Sequence, residues 1–362
     1  MSQAEQQRRP LTLREAEAML HYVDGCEDRE TWLAVGMALK DEFGPDAFDA
    51  WDRWSSNADN YDAKAVRACW RGFRAASGSG YGIGTVVKFA RDGGYKPTAH
   101  AQPSRDELAE LARRRAQRAS KAAAEKAKRE AAAATAMERA RHAWQESSRE
   151  GSSAYCSRKL VERPESVRFT PDGGIVIPMI RYDLPREQAL KGVQIIAADG
   201  SKKFTYGMEK SGTACRLGMA VVGEPVFICE GWATGMSIRA ALGYRLPVFV
   251  AFDAYNLPLV AQYVYQTLPS SPMVICADDD HATKREGWPW NVGRIQAQVA
   301  MESVMDAGAK IVCRSYPVFE DTTPRTDKDT DFNDLHRLEG LQAVTEAMNL
   351  ALDGIEELKR YA

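Results

Sequence analysis

Three short apolar runs in the second half of the chain each end in acid: VFIC at Glu230, VFVAF at Asp253, and VICA at Asp278, Asp279 and Asp280. A single acid after such a run is ordinarily a helix cap or a turn residue. Repetition changes the reading, because carboxylates converging on one edge repel each other unless a cation lies among them. Asp278 and Asp280 are two apart and can point the same way from an extended segment. A pair of carboxylates is what magnesium takes while it keeps water and substrate phosphates. Gly231 directly follows Glu230, and is expected to let the chain turn sharply from strand into helix with little bulk facing a phosphate. Glu230 then acts as general base or acid on a hydroxyl, or helps to hold the metal. Taken alone, it would be read as serving the first turn of the following helix.

The elements that must present these acids alternate regularly: strand VFICE, helix ATGMSIRAALG, strand PVFVAFD, helix LPLVAQYVYQTL, strand MVICAD, helix NVGRIQAQVAMESVMDAG and strand KIVCRSYP. Such alternation predicts a parallel sheet covered by helices on both faces, since parallel strands need crossover connections. Ligands of open parallel sheets bind at the carboxyl ends of the strands, which is where these acids fall. Before this region, GGIVIPMIRYD and LKGVQIIAADG are β-branched runs separated by turn residues, predicting an antiparallel β subdomain of hairpins.

The first third reads as short amphipathic helices rich in tryptophan: LTLREAEAMLHYV, DRETWLAVGMALKDEFG, PDAFDAWDRWSSN, DAKAVRACWRGF and, after the Gly-rich SGSGYGIG, TVVKFARDGGY. Asp28 and Asp62 are expected as N-caps, and Gly44 as the stop of the second helix. Trp51, Trp54 and Trp70 are read as core, tryptophans at helical spacing being more often core than base-stacking platforms. Between Pro103 and Gly151 there is neither glycine nor proline, which predicts one long helix. From Arg105 to Arg141 it carries eleven basic and six acidic residues. It is read as a solvated spacer, with a DNA-binding surface as the alternative. The resulting fold class is multidomain α and α/β. Its segments are a helical domain at 1–98, a basic helical linker at 99–150, a β-rich subdomain at 151–223, the α/β catalytic domain at 224–320 and a C-terminal segment at 321–362.

The formal net charge of −2 over 362 residues leaves nucleic-acid contact to local basic patches. Seven cysteines include no C-x-x-C pair and no histidine at zinc-finger spacing, so no zinc is expected. Cys229, Cys276 and Cys313 sit in apolar runs, where a reduced thiol behaves as a small hydrophobe. The N-terminal MSQAEQQRRP lacks a signal core and no apolar run spans a bilayer, so the expectation is a soluble, cytoplasmic protein with no membrane partner. SGSGYGIGT lacks the Gly-Lys-Ser/Thr of an ATPase phosphate loop, so any unwinding would come from another protein.

Glu230 with Asp278 and Asp280 resembles the magnesium site of the Toprim fold shared by topoisomerases and bacterial-type primases. EGWAT is similar to the EGYAT signature of primases from conjugative plasmids and satellite phages, with Trp232 in place of the usual tyrosine. VAFDAYNLP resembles that family's second-strand segment and DFNDL, Asp331 to Leu335, its C-terminal element. The resemblance covers roughly residues 152 to 340. In the N-terminal third, Trp32, DRWSSNADNYD, Trp70 with Phe73, and IGTVVKFARDGGY resemble a small helical domain found C-terminal to primase–polymerase modules of mobile elements.

The resemblance implies a DNA primase of phage or plasmid replication, making short RNA primers on a single-stranded DNA template from ribonucleoside triphosphates. Magnesium, for which manganese can substitute, would be held by Asp278 and Asp280, with Glu230 as base or further ligand. Lys202, Lys203, Lys210 and Arg216 cluster just before the sheet in a segment resembling the family's Lys-x-Phe and Gly-rich stretch. They are read equally as a phosphate-neutralising group, with Phe204 or Tyr206 as a stacking face, or as an exposed basic hairpin. His281, Lys284, Arg285 and Arg294 follow the aspartates and would reach phosphate if their loop folds over the site. Asp253, His281 and Asp331 are expected on the rim, Asp334 as a helix cap. Two alternatives use the same chain differently: a Toprim-type metal-dependent nuclease, in which water is the nucleophile, and a non-catalytic single-stranded-DNA-binding accessory protein of replication.

Overall fold

The computed structural model describes residues 11–73, 81–96, 105–285 and 288–361. MSQAEQQRRP and the first half of SGSGYGIG, residues 77–80, therefore lie outside the described residues, as do residues 99–104 of the expected linker. The chain divides into two compact units, Met1–Ala112 and Arg113–Ala362. Among the described residues no helix is long and apolar enough to cross a membrane.

The first unit is helical: α1 (Leu13–Leu20), α2 (Arg29–Phe43), α3 (Phe48–Ser55), α4 (Ala63–Gly72) and α5 (Ile83–Asp92). Asp28 caps α2 by accepting from the Thr31 N–H, and Asp62 caps α4 by accepting from the N–H groups of Lys64 and Ala65. Gly44 ends α2 at φ 68°, a left-handed conformation that costs glycine little. The tryptophans are core: Trp51 is fully buried and packs against Trp32, Trp70 and Phe73. Gly36 sits inside α2 because a β-carbon there would come within 2.6 Å of both Trp51 and Phe73. The glycine weakens the helix by about 0.5–1 kcal/mol and admits two aromatic rings in return.

The long helix predicted from composition is α6 (Arg105–Glu146). Its last turns carry Ala140, Ala143 and Trp144 onto Val176 and Val193 of the following sheet. After α7 (Ala154–Arg158), β1 (Arg168–Phe169), β2 (Ile175–Ile180), α8 (Arg186–Ala189), β3 (Leu190–Ile196) and β4 (Lys202–Phe204) complete an antiparallel sheet of order β1-β2-β3-β4.

The remaining chain runs β5 (Cys215–Leu217), β6 (Val226–Cys229), α9 (Trp232–Ala241), β7 (Val248–Val250), α10 (Leu257–Thr267), β8 (Met273–Cys276), β9 (Lys284–Arg285), β10 (Trp288–Pro289), α11 (Val292–Asp306), β11 (Val312–Ser315), α12 (Phe332–Glu339) and α13 (Leu341–Lys359). Its main sheet has the order β11-β8-β6-β7-β5. The sheet is not wholly parallel, as the alternation alone predicts: β5 pairs antiparallel with β7 at the edge. CRLG lies ahead of the alternating region in sequence, so its hydrogen-bond partner was set by a contact that periodicity does not register.

Burial along the central strands follows the period of two expected of a pleated strand with both faces covered. Phe227, Cys229, Val274 and Cys276 point into one core with Met236 of α9, Leu335 of α12 and Met348 of α13. Val226, Ile228, Met273 and Ile275 point into the other with Val260 of α10 and Ala297 of α11. β6, flanked by β7 and β8, is thus covered on both faces and both edges, and Glu230 follows at its carboxyl end.

Candidate metal and phosphate site

Glu230 emerges where β6 ends. Its backbone carbonyl accepts from the Phe252 N–H at 2.8 Å, just as the Cys229 carbonyl accepts from the Ala251 N–H at 2.8 Å, so the ends of β6 and β7 are locked together. Phe252 itself has φ 72°, a left-handed conformation unusual for a bulky side chain, and turns the chain out of β7 into Asp253. Gly231 differs from the expectation that it supplies a conformational turn. Its φ of −97° is open to any residue, and what glycine provides is room: a β-carbon there would lie 2.8 Å from the Thr234 hydroxyl.

The three aspartates after β8 have different fates. Asp278 follows the parity of Cys276, on the side covered by α12, and Asp279 that of Ala277, on the side covered by α11. Asp279 is buried among cations: Arg294 pairs with it at 2.8 Å, Arg325 at 2.9 Å, and the Asn291 amide donates to it at 2.7 Å. Burial opposes its charge, yet the hydrogen bonds from Arg325 and Asn291 and the two guanidiniums hold its carboxyl below the usual range. Asp278 has no such partners. Its Oδ1 is buried without a hydrogen bond, as is Oε1 of Glu230. Asp280 is fixed from outside the strand, its Oδ2 accepting from the Gly293 N–H at 2.9 Å and its own N–H donating to Asn291 at 3.1 Å.

Burial and mutual repulsion dominate the electrostatics. Glu230 is pushed up to about 8, first by burial and then by the charges of Asp280, Asp253 and Asp331, against the Asp278 backbone N–H that favours its ionised form. Asp278 is raised well above the ordinary range by burial, then by Glu230, Asp331 and Asp280. Asp331 is raised by burial and by Asp334. Asp331, rather than Asp334, is the N-cap of α12: it accepts from the N–H groups of Asn333 and Asp334, while Asp334 closes the reciprocal box. The Thr234 hydroxyl of α9 holds its other oxygen at 2.9 Å.

Among the described residues no three His, Cys, Asp or Glu side chains close on one point as a ready-made metal cage. The fit to a divalent cation rests instead on the two orphaned buried oxygens of Glu230 and Asp278 and on the excess of negative charge around them. Magnesium, which is commonly bound through one or two carboxylates plus water and substrate phosphates, suits that donor set.

The basic residues divide. Lys202 and Lys203 are exposed on β4, next to Phe204. Lys210 bridges the two parts of the unit, pairing with Asp253 and lying 4.5 Å from the Phe204 ring centre, while Phe204 meets Phe252 edge-on. Tyr206 is largely exposed. Arg216 lies on β5 with its guanidinium over Tyr182. Arg294 is not a free cation over the site, since Asp279 and the Tyr316 ring, 3.8 Å from it, hold it. His281 leans back to the Asp279 carbonyl, and Lys284 and Arg285 form β9, paired with β10. The sequence reading missed Asn291, Gly293 and Thr234. Asn291 was findable as an N-cap ahead of an amphipathic run.

Residues 225–342 match the family described as Toprim domain, and residues 16–90 match Primase C terminal 2 (PriCT-2). Two Escherichia coli proteins named DNA primase TraC are similar: one is 33% identical over 137 residues, 37% of this chain and 9% of the relative. The other is 34% identical over 131 residues, 35% of this chain and 11% of the relative. The match thus spans about a tenth of the length of these relatives. The primase fragment of the bacteriophage T7 primase-helicase is 15% identical at a TM-score of 0.34, covering 50% of this chain and 66% of that one. T7 primase domains in a complex with lagging-strand DNA polymerase and an RNA/DNA hybrid are 14% identical at a TM-score of 0.33, covering 53% and 83%. Residues 225–342 of this chain are therefore a Toprim domain, preceded at residues 16–90 by a PriCT-2 domain.

Proposed function

We propose that the chain is a DNA primase that synthesises short RNA primers on single-stranded DNA from ribonucleoside triphosphates. The observation that carries this is the pair of buried, unpartnered carboxylate oxygens, Glu230 Oε1 and Asp278 Oδ1, at the ends of the adjacent strands β6 and β8. Asp278 and Asp280 would hold magnesium, with Glu230 beside them. When bound, the metal would lower the pKa of an attacking 3′-hydroxyl and neutralise charge on the transferring phosphoryl group and leaving pyrophosphate.

The chain's own residues do the rest. Glu230, whose carboxyl would be ionised once a cation offsets the charges around it, is the group to take the proton of the hydroxyl at Oε1. Gly293 and Asn291 fix the orientation of Asp280, and Thr234 that of Asp331. Lys202, Lys203 and Lys210 face incoming phosphates, with Phe204 and Tyr206 as base-stacking surfaces. A separate helicase would supply unwinding in a phage or plasmid setting, and the bacterial cytosol would be the place of action. The similarity to proteins named DNA primase and the Toprim match support this reading over other uses of a carboxylate crevice.

The test is incorporation of labelled ribonucleotides on single-stranded DNA with magnesium, comparing the wild type with Asp278→Asn/Asp280→Asn. Template-dependent short RNAs made only by the wild type are expected. Strand cleavage in their place would make the chain a nuclease. DNA binding with neither product would make it an accessory protein.

A further inference from the structure

Charge in the PriCT-2 region is segregated along the sequence. Residues 11–62 hold thirteen acids and four cations, whereas residues 63–91 hold six cations and no acid. Three of those cations are on α4, where Val66 and Trp70 face the core and Lys64, Arg67 and Arg71 face outward and are exposed. The spacing i, i+3, i+7 puts them in one row along the helix. Among the described residues none of the three is in an ion pair.

The row borders an aromatic surface. The Arg67 guanidinium lies 5.7 Å from the ring centre of half-buried Phe48, and Phe48 meets Trp70 edge-on at 5.6 Å. Lys40 of α2 donates to the Trp70 carbonyl and adds a fourth positive charge 5.3 Å from the Trp70 ring. Phe48, Arg67, Trp70 and Arg71 line an open hollow of about 450 Å³ with no carboxylate in its wall. A row of unpaired cations beside an uncharged aromatic floor fits a ligand with both repeating negative charge and a flat π-face. Single-stranded nucleic acid has both, and a duplex keeps its bases stacked away from such a floor.

We infer that this face of α4 is a docking site for single-stranded DNA, belonging to the PriCT-2 unit itself. Arg67, Arg71 and Lys64 pair with phosphates, and one base lies in the hollow against Phe48 and the edge of Trp70. That the strand is DNA rests on the primase reading above; the site itself does not.

The test is fluorescence anisotropy of a labelled oligothymidylate with the full chain in EDTA, without nucleotides, over a range of salt. Arg67→Ala/Arg71→Ala should weaken binding about tenfold at low salt and reduce the slope of log K against log salt by about 1.4, since each single-strand phosphate contact contributes roughly 0.7. Phe48→Ala should weaken binding without changing the slope. An oligonucleotide carrying 5-iodouracil should photocrosslink to the segment containing Phe48 or Trp70, and Asp278→Asn should crosslink there equally well. An unchanged slope in the arginine variant, crosslinks confined to residues beyond 150, or displacement by an acidic peptide but not by unlabelled oligonucleotide would each overturn the proposal. If no RNA is made but these shifts appear, the primase reading fails alone; if RNA is made and the slope is unchanged, only this site fails.

Discussion

Gly293 abuts Asp278: a β-carbon on the glycine would lie 2.3 Å from the Asp278 carbonyl oxygen, while the Gly293 N–H donates to Asp280 at 2.9 Å. The first turn of α11 therefore sets the position of both aspartates of the Asp-x-Asp pair. Gly293→Ala should push the turn off the strand end, costing about 1–3 kcal/mol of stability by overpacking. It should also abolish any stabilisation by magnesium. Urea unfolding with and without the ion measures both, and an alanine variant that keeps the full magnesium response would show that the contact does not matter.

The repulsive crevice predicts an unusual pH dependence. Glu230 is raised from 4.5 to about 8 in the folded chain, so the folded state keeps a proton that the unfolded state has lost. The contribution is fully present below pH 4.5 and is lost as pH rises through about 8. Asp278 and Asp331, also raised, act in the same direction. In EDTA the melting temperature should fall across this window, magnesium should offset the fall, and Glu230→Gln should flatten it. A melting temperature independent of pH in EDTA, in wild type and variant alike, would contradict the arrangement.

Asp331 has two separable roles. As the N-cap of α12 it satisfies the N–H groups of Asn333 and Asp334, and Asp331→Ala should cost about 0.5–2 kcal/mol. Asp331→Asn retains an acceptor for the cap but removes the charge from the crevice. If the charge contributes to holding a cation, the asparagine variant should keep its stability and lose magnesium affinity by about tenfold, equivalent to roughly 1.4 kcal/mol. Equal magnesium affinity in wild type and Asp331→Asn would reduce the residue to a cap.

Lys210 links Asp253 to the Phe204 ring and so joins the antiparallel sheet to the end of β7. Lys210→Ala should raise KM for ribonucleotides about tenfold with little change in kcat if the lysine serves binding of phosphate in ground and transition states alike. A matching fall in kcat and kcat/KM would instead assign it to the transition state.

The alternation of strands and helices, the two-faced burial of β6 and β8, and the caps at Asp28 and Asp62 are all local patterns, and the sequence alone determined them. The period of two also separates Asp278 from Asp279 once the strand is placed. What the tertiary structure decided are relationships between residues far apart. Arg325 claims Asp279 from 46 residues away, Thr234 reaches Asp331 across 97, and β5 folds back antiparallel onto β7. Arg294, placed by sequence near the phosphates, is drawn away by Asp279 and Tyr316. Side-chain periodicity reports which way a residue faces; it carries no information about which distant group will occupy the space it faces, and the buried oxygens of Glu230 and Asp278 owe their unpartnered state to that second choice.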